Sequence, residues 1–255
     1  MLLDSAHFTL RGIPLLSFLL GLTFGSFGNV LLCRLPKNRT ILGRSACPHC
    51  RKKLRAWELI PVVSFLLLRG RCARCSAEIS LRYPLVELTS GLLFLAAFLH
   101  EGAFGFSTIL LMFALWLLLL IALCDLDTGL IPDGLNVPLV ICAMLFTFFH
   151  SGVMLSGISL ALFFFGGQWL LSRGRWIGSG DVILGAGIGA LLGSWTAVLV
   201  FLFLAYVSGA FAASVFLLTH RKTTADTLVF GPFMAIGAMG ALFFGEAFVR
   251  LLLLR

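Results

Sequence analysis

Charged side chains are scarce in this sequence. They make up 12% of its 255 residues, whereas hydrophobic residues make up 60%. A soluble domain carries far more charge, so this composition excludes soluble classes and predicts a polytopic, all-α membrane protein. The net charge of +8 does not indicate nucleic-acid binding, because twelve of the 19 Lys and Arg residues fall in one loop, 34–82. Such a cluster is typical of a topology signal and of a surface for anionic lipid.

Histidine is also sparse, and its placement excludes several catalytic classes. The five histidines are scattered along the chain, at positions 7, 49, 100, 150 and 220. No Ser/His/Asp or Cys/His set therefore forms at comparable positions.

No glycine-rich nucleotide-binding pattern follows a predicted strand. A cleavable signal peptide is not expected either, because the first apolar run is long enough to span a membrane and no convincing cleavage site follows it.

Apolar segments predict about eight transmembrane helices. They cover 13–32, 83–99, 106–124, 135–149, 153–171, 182–192, 196–218 and 228–248, of which the sixth is brief and glycine-rich. If the N-terminus lies outside, the loops 34–82, 125–134, 172–180 and 219–227 lie inside and hold 16 of the 19 basic residues. The last of these loops contributes Arg221 and Lys222. This distribution agrees with the positive-inside rule and predicts a cytoplasmic position for all four loops.

An aspartate-rich stretch, 124–133, follows the uncharged run 109–123. Asp125 is nearest the apolar run, and an aspartate at mid-membrane costs about 2.5–3.5 kcal/mol on insertion scales. Such a residue serves a function, faces a polar cavity or marks the end of a helix. Asp127 fits a solvated loop carboxylate. Asp133 follows Pro132 and fits a cap of the next helix.

A second aspartate at a membrane boundary lies in the segment Gly178-Ser179-Gly180-Asp181. Asp181 alone would be read as an N-cap residue. Two acids at the ends of two apolar segments on the same predicted membrane side are a stronger signal. Two carboxylates held within a few ångströms cannot both ionise, so the pair can work as acid and base. This is the chemistry of an aspartyl protease.

Four of the seven cysteines form two C-x-x-C motifs in the basic loop, 21 residues apart. This spacing predicts a tetrahedral zinc site with the ligands Cys47, Cys50, Cys72 and Cys75. A pair of disulfides is the alternative, which a cytoplasmic location disfavours. The remaining cysteines, Cys33, Cys124 and Cys142, lie in or beside apolar segments and are expected to be small buried hydrophobes.

Polar and small residues in the first two spans suggest contacts between helices. Gly21 and Gly25 have the four-residue spacing that suits close helix packing, and Asn29 fits an interhelical hydrogen bond or a ligand contact. Glu87, in the second span, is expected to pair with loop arginines or to serve function. An apolar insert, 57–68, is too short to span and is expected to lie on the membrane face. In the last span, the segment 230–232 is expected to bend or loosen the helix.

Taken together, these motifs resemble the type IV prepilin peptidases, which are bifunctional leader peptidases and N-methyltransferases of bacterial inner membranes. The resemblance covers nearly the whole chain. It includes Gly25-Ser26-Phe27-Gly28-Asn29-Val30, Arg34-Leu35-Pro36, the two cysteine motifs, Ile60-Pro61-Val62-Val63-Ser64, Arg69-Gly70-Arg71-Cys72, Ile79-Ser80-Leu81-Arg82-Tyr83-Pro84, Glu87, Asp125, Pro132-Asp133, Gly178-Ser179-Gly180-Asp181 and Phe230-Gly231-Pro232-Phe233. Each motif alone is weak, whereas together and in this order they are very specific.

The resemblance implies that Asp125 and Asp181 are the two catalytic aspartates. It implies prepilin or pseudopilin substrates of type IV pilus or type II secretion systems, cut on the cytoplasmic side after the Gly that ends a short basic leader. The new N-terminus, usually Phe, would then be methylated from S-adenosylmethionine, since the four-cysteine loop marks the two-activity form. Two departures from the family pattern are Gly28, where a larger apolar residue is usual, and Ile183, where many members have Lys.

The predicted organisation is an N-terminal transmembrane helix at 1–33, a cytoplasmic zinc-binding loop domain at 34–82 and a transmembrane aspartyl peptidase domain at 83–255. Two other functions are considered: a leader peptidase whose zinc loop is only structural, and a proton-coupled transporter that uses intramembrane acids. The transporter does not explain a four-cysteine loop, nor two aspartates at one membrane face.

Overall fold

The structure, a computed structural model, describes residues 2–37, 39–151, 155–219 and 228–253. All of the secondary-structure elements in these residues are helices, apart from two isolated β-bridges in the loop 34–82. Within these ranges, seven helical stretches are long and apolar enough to cross a membrane, and an eighth, Ser179–Leu192, is apolar but shorter. The prediction of an all-α polytopic membrane protein is therefore confirmed. The short helix corresponds to the brief sixth predicted span.

The chain forms two compact units, Met1–Thr108 and Ile109–Arg255. The first contains α1 (Leu2–Arg34), α2 (Val63–Leu67) and α3 (Arg82–Glu101), with short 3-10 turns at Leu35–Lys37 and Ala56–Leu59. α3, which the sequence analysis assigns to the 83–255 domain, packs on α1 in this first unit. The predicted three-part division is not tested by this grouping and stays a prediction.

Small residues bring α1 and α3 together. A Cβ added to Gly21 would lie 2.5 Å from the Ser90 carbonyl oxygen, and one added to Gly25 would lie 2.5 Å from the Cα of Glu87. The expectation of close helix packing at these two glycines is confirmed. The Asn29 side-chain amide donates a hydrogen bond to the Tyr83 carbonyl at 3.1 Å. Of the two readings offered for Asn29, the interhelical hydrogen bond is therefore present.

The second unit contains most of the membrane-spanning helices. They are α4 (Phe106–Thr128), which begins at the unit boundary, α5 (Asp133–Ser151), α6 (Leu155–Ala161), α7 (Gly167–Ser172), α8 (Ser179–Leu192), α9 (Trp195–Leu218) and α10 (Gly231–Leu253). A π-helical segment, Leu162–Gly166, joins α6 to α7, so that the three together form one span. The short α8 packs on α5 and α6, while α9 packs on α10.

Two helix ends differ from their predicted positions. α4 continues through Asp127 to Thr128, one turn past the predicted end at residue 124, so Asp127 is an exposed residue of a helix and not of a loop. The helix ends where Gly129 adopts a φ of +66° and donates its N–H to the Asp125 carbonyl at 2.7 Å, as a C-terminal glycine does. α10 begins at Gly231, so the segment 230–232 starts the helix and does not bend it. Pro232 is tolerated there because the first helical turn needs no N–H donor.

The predicted loop 219–227, with His220, Arg221 and Lys222, lies outside the described residues apart from Thr219. The start of the predicted fifth span, at residue 153, also lies outside them.

Candidate active site and metal centre

Asp125 and Asp181 line one cavity in the second unit. The cavity has a volume of about 640 Å3 and is also lined by Gln168, Tyr206 and Phe230. Asp125 lies in the last turns of α4 and is 5% exposed, whereas Asp181 lies in the first turn of α8 and is half-buried. The two carboxylates are close enough to interact electrostatically. The structure thus brings together the two acids that the sequence analysis singles out.

Each of these carboxylates accepts a backbone hydrogen bond. The Gly231 N–H donates to Oδ2 of Asp125 at 2.7 Å, across 106 residues of sequence. The Gly178 N–H donates to Oδ2 of Asp181 at 3.0 Å. Asp181 therefore does cap the start of α8, as predicted, although it is the third residue of the helix and not the residue before it. The same residue lines the cavity. In each case one oxygen is engaged by the backbone.

The other two acids of the aspartate-rich stretch have exposed side chains. Asp127 lies two residues after Asp125 on α4, and two residues are about 200° apart around a helix, so the two side chains leave it on different sides. Asp133 opens α5, as predicted for a residue after Pro132. Neither residue lines the cavity.

The segment 178–181 is tied to α5 by a residue that the sequence analysis does not single out. Asn136 is fully buried, and its side-chain amide donates to the Gly180 carbonyl at 2.9 Å. Gly180 itself lies against Ile131, where a Cβ would come within 3.1 Å of the Ile131 side chain. The only sequence signal for Asn136 is an uncharged polar residue near the start of an apolar span, which also fits many structural hydrogen bonds. Asn136 and Gly180 together fix the turn before Asp181.

The four loop cysteines also meet, in the first unit. Their Sγ atoms all lie within 4.8 Å of one another, and Cys47 and Cys75 are 3.9 Å apart. A tetrahedral zinc site with Zn–S bonds of about 2.3 Å places its sulfurs about 3.8 Å apart, so the cluster has the size that such an ion requires. None of the seven cysteines is in a disulfide, so the disulfide alternative is not what the structure shows. His49 is exposed and is not among the four ligands.

The two cysteine motifs have the same backbone conformation. In each motif an isolated β-bridge flanks the turn, pairing Ala46 with Lys53 and Arg71 with Glu78. In each, the residue after the second cysteine has a positive φ, which is 55° at Arg51 and 57° at Ser76. This turn directs both thiols of a motif to one side. The N–H groups of Cys75 and Arg74 point towards the Cys72 sulfur and lower the pKa of that thiol to about 6, which favours the thiolate form that binds metal.

Two buried acids hold the loop in place, Glu58 from within the loop and Glu87 from α3. Glu58 accepts hydrogen bonds from the Arg55 N–H at 2.7 Å and from Lys52 at 2.9 Å, and these bonds lower the pKa of Glu58. Glu87 accepts the N–H of Val62 at 2.7 Å. The expectation that Glu87 pairs with loop arginines is therefore wrong within the described residues, since a backbone donor of the apolar insert takes that place.

Comparisons with known proteins identify the family. Residues 19–101 match the Bacterial Peptidase A24 N-terminal domain, and residues 111–214 match the Type IV leader peptidase family. A prepilin leader peptidase/N-methyltransferase of Burkholderia pseudomallei is 38% identical over an alignment of 271 positions, which covers 92% of this chain and 87% of that protein. Proteins of the same name from Aeromonas hydrophila and Legionella pneumophila are 34% and 33% identical, covering 98% and 91% of this chain and 97% and 91% of their own lengths.

No solved structure matches the chain. The two family matches and the full-length relatives agree with the order of motifs along the sequence, and they leave no long segment of the chain outside the resemblance. The chain therefore belongs to the type IV leader peptidase family.

Proposed function

We propose that this protein is a membrane aspartyl endopeptidase that removes the leader of type IV prepilins or pseudopilins and then methylates the new N-terminus. The observation that carries the proposal is the cavity lined by two aspartates from separate helices. Relatives that match more than nine-tenths of the chain bear the name of this pair of activities. That name favours the peptidase over a proton-coupled transporter with the same intramembrane acids.

Asp125 and Asp181 are the proposed catalytic pair, because they alone among the acids of their two segments line the cavity. Two neighbouring carboxylates share one proton. The ionised carboxylate takes a proton from a water molecule while the water oxygen attacks the scissile carbonyl carbon. The protonated carboxylate gives its proton to the leaving nitrogen as the C–N bond breaks. The products are the free leader carboxyl group and the new pilin amine.

Backbone contacts give this pair its geometry. The Gly231 N–H and the Gly178 N–H each bind Oδ2 of one aspartate, so Oδ1 of each aspartate is the oxygen proposed to contact water and substrate. Such fixed carboxylates avoid reorganisation during the reaction, which is where much of the catalytic advantage of a preorganised site arises.

The second proposed reaction transfers a methyl group to the new N-terminal amine. S-adenosylmethionine supplies the methyl group as a cosubstrate. The reaction needs no carboxylate dyad once the amine and the sulfonium methyl are aligned and water is excluded. The neutral amine would form the N–CH3 bond as the S–CH3 bond breaks, leaving a neutral thioether and a methylated ammonium that can later lose a proton to solvent. We therefore expect the two reactions to depend on different residues.

Zinc is the proposed metal of the four-cysteine cluster, held by Cys47, Cys50, Cys72 and Cys75. The size of the cluster and its all-sulfur donor set fit zinc. Four protein ligands leave no open coordination position, so the ion would stabilise the folded loop and would not hold a reactive water.

The proposed location is the bacterial inner membrane, with the catalytic cavity facing the cytoplasm. A short basic leader stays on the cytoplasmic side by the same rule that orients the basic loops of this chain, so cleavage is expected there. The twelve basic residues of the loop 34–82 favour contact with anionic lipid headgroups. No nucleic-acid partner is proposed.

The test is cleavage of a synthetic prepilin by membranes that contain the protein, with leader removal and methylation read separately by mass. Asp125→Asn and Asp181→Asn should each lower cleavage at least about 1,000-fold, as loss of one catalytic group commonly does. Asp127→Asn and Asp133→Asn are matched controls that should retain most activity. Normal cleavage by Asp125→Asn with a dead Asp127→Asn would show that the wrong acid of the run has been assigned. Cleavage by all four variants would contradict the aspartyl mechanism. If the unmodified protein cleaves prepilin but does not methylate the product, the protein is a leader peptidase without methyltransferase activity.

A further inference from the structure

A hydrogen-bonded pair of uncharged side chains lines the same cavity as the two aspartates. The Nε2 of Gln168 donates to the Tyr206 hydroxyl oxygen at 3.0 Å, and the Tyr206 hydroxyl donates to Oε1 of Gln168 at 3.1 Å. Both residues line the cavity, and Tyr206 lies close enough to Asp181 to interact with its charge. Neither residue is needed to hold Asp125 or Asp181, since those carboxylates are held by the backbone.

The Tyr206 ring is fixed in place by aromatic neighbours. It packs edge-on against Phe164 at 5.6 Å and against Phe230 at 5.1 Å, measured between ring centroids. Phe230 immediately precedes Gly231, whose N–H binds Asp125. The same segment of chain therefore sets the position of the Tyr206 hydroxyl and of the Asp125 carboxylate. Gln168 lies two residues after the π-helical segment Leu162–Gly166, a widened turn of the kind frequently found at functional sites.

An aspartate dyad leaves one requirement of amide hydrolysis unmet. An ionised carboxylate only accepts hydrogen bonds, and the proton of its partner is committed to the leaving nitrogen. The carbonyl oxygen of the scissile bond gains negative charge during attack and needs a donor placed beforehand. A tyrosine hydroxyl is a neutral donor, which suits a site that already holds negative charge.

We propose that Tyr206 is a further catalytic residue, which donates its O–H to the scissile carbonyl oxygen, and that Gln168 is its positioning residue. This inference rests on the proposed peptidase function. In the absence of peptide, the Tyr206 O–H is directed to the Gln168 carbonyl oxygen. When peptide binds, the hydroxyl rotates to the substrate carbonyl, and the Gln168 N–H continues to donate to the tyrosine oxygen. A hydroxyl that accepts one hydrogen bond is a stronger donor in the next, so Gln168 also polarises it.

The test compares Tyr206→Phe, Gln168→Leu and the double variant in the prepilin cleavage assay. Tyr206→Phe keeps the ring and its aromatic contacts, and we expect kcat to fall about 100- to 1,000-fold with little change in KM, the usual effect of removing one such donor. Gln168→Leu should lower kcat by less, and the double variant should be no slower than Tyr206→Phe, because the two residues act through one hydroxyl. Tyr83→Phe is the matched control, because Tyr83 is the second of the chain's two tyrosines and lies in the other unit. The Tyr83→Phe variant should cleave prepilin at the rate of the unmodified protein.

A transition-state analogue gives an independent readout. A leader peptide in which a hydroxyl-bearing tetrahedral carbon replaces the scissile carbonyl should bind Tyr206→Phe more weakly by about the factor by which kcat falls. A Tyr206→Phe variant that keeps kcat within twofold overturns the inference, as does a loss explained entirely by a lower melting temperature. Suppose that the unmodified protein cleaves prepilin, that Asp125→Asn does not, and that Tyr206→Phe is fully active. Only the inference about Tyr206 then fails. If the unmodified protein does not cleave prepilin, the proposed function fails as well.

Discussion

Gly231 shows how one residue without a side chain serves the candidate active site. Its N–H donates to Asp125 at 2.7 Å, and a Cβ on this residue would lie 2.6 Å from the same carboxylate oxygen. Any other residue would therefore have to move either the carboxylate or the start of α10. Glycine is required at this position because the two groups approach so closely, and not because of an unusual φ.

We predict that Gly231→Ala lowers prepilin cleavage about 100-fold, since a displacement of the order of 1 Å in a catalytic group has an effect of this size. The measurement is kcat/KM in the cleavage assay, with the melting temperature recorded in parallel. Gly245→Ala is the control on the same helix, because a Cβ added there would have no described atom within 4 Å apart from its chain neighbours and the backbone of its own helix. Equal activity of the two variants would show that Asp125 tolerates the displacement.

Sequence reasoning at this scale favours Asp125 over Asp127 and Asp133 because Asp125 lies nearest the apolar run, and the structure places that residue alone of the three in the cavity. It gives no means of finding the donor to Asp125, because no local pattern joins residues 125 and 231. Gln168 and Tyr206 also escape notice, since a polar residue in a span fits a structural hydrogen bond equally well. The catalytic roles themselves stay predictions.

At the scale of elements, the loop between α1 and α3 depends on few internal contacts. Its described residues form two β-bridges, two short 3-10 turns and the five-residue helix α2, and its apolar insert exposes Leu66 and Leu67 at 67% and 70%. Such a segment buries too little apolar surface to fold by itself, so a metal cross-link between the two cysteine motifs is expected to supply much of its stability. The C-x-x-C spacing predicts this cluster fully, whereas the Glu87–Val62 contact, made to a backbone N–H, leaves no mark in the sequence.

We predict that the purified protein carries about one zinc ion per chain, measured by elemental analysis against protein concentration. Cys72→Ser should lower the zinc content severalfold and make the loop 34–82 sensitive to protease, because three ligands and an open position bind zinc more weakly. Cys142→Ser, which changes a cysteine outside the cluster, should have no effect on either measurement. A full complement of zinc in a variant that lacks all four loop cysteines would place the metal elsewhere.

At the scale of the whole molecule, the residues proposed for cleavage and those proposed for metal binding belong to different units. Asp125, Asp181, Gln168 and Tyr206 lie in Ile109–Arg255, and the four cysteines lie in Met1–Thr108. The all-helical membrane class and most span positions are predictable because apolar runs of membrane length have few other stable forms. Helix ends are less predictable, since the apolar run stops at residue 124 whereas α4 continues to Thr128.

This separation predicts that the two activities can be lost independently. Asp181→Asn should still methylate a pilin peptide that already begins with its mature N-terminus, at a rate within about twofold of the unmodified protein, because methyl transfer needs alignment and not a carboxylate dyad. Cys72→Ser should lose methylation of that peptide at least as severely as it loses cleavage of the full prepilin. The measurement is methyl incorporation by mass. A folded Asp181→Asn that fails on the precleaved peptide would mean that both reactions share one site.

The two cysteine motifs also imply an order of events during synthesis. Their bridges, turns and thiols repeat at an interval of 25 residues, with Cys47 matching Cys72 and Arg51 matching Ser76. The first hairpin can close as soon as Lys53 has left the ribosome, yet it then offers only two of four ligands. Tight capture of the ion must wait until Cys75 emerges, shortly before α3 follows. Four-ligand binding of the metal therefore cannot begin before almost the whole loop has been synthesised, and a nascent chain deprived of zinc would reach α3 with its loop still open.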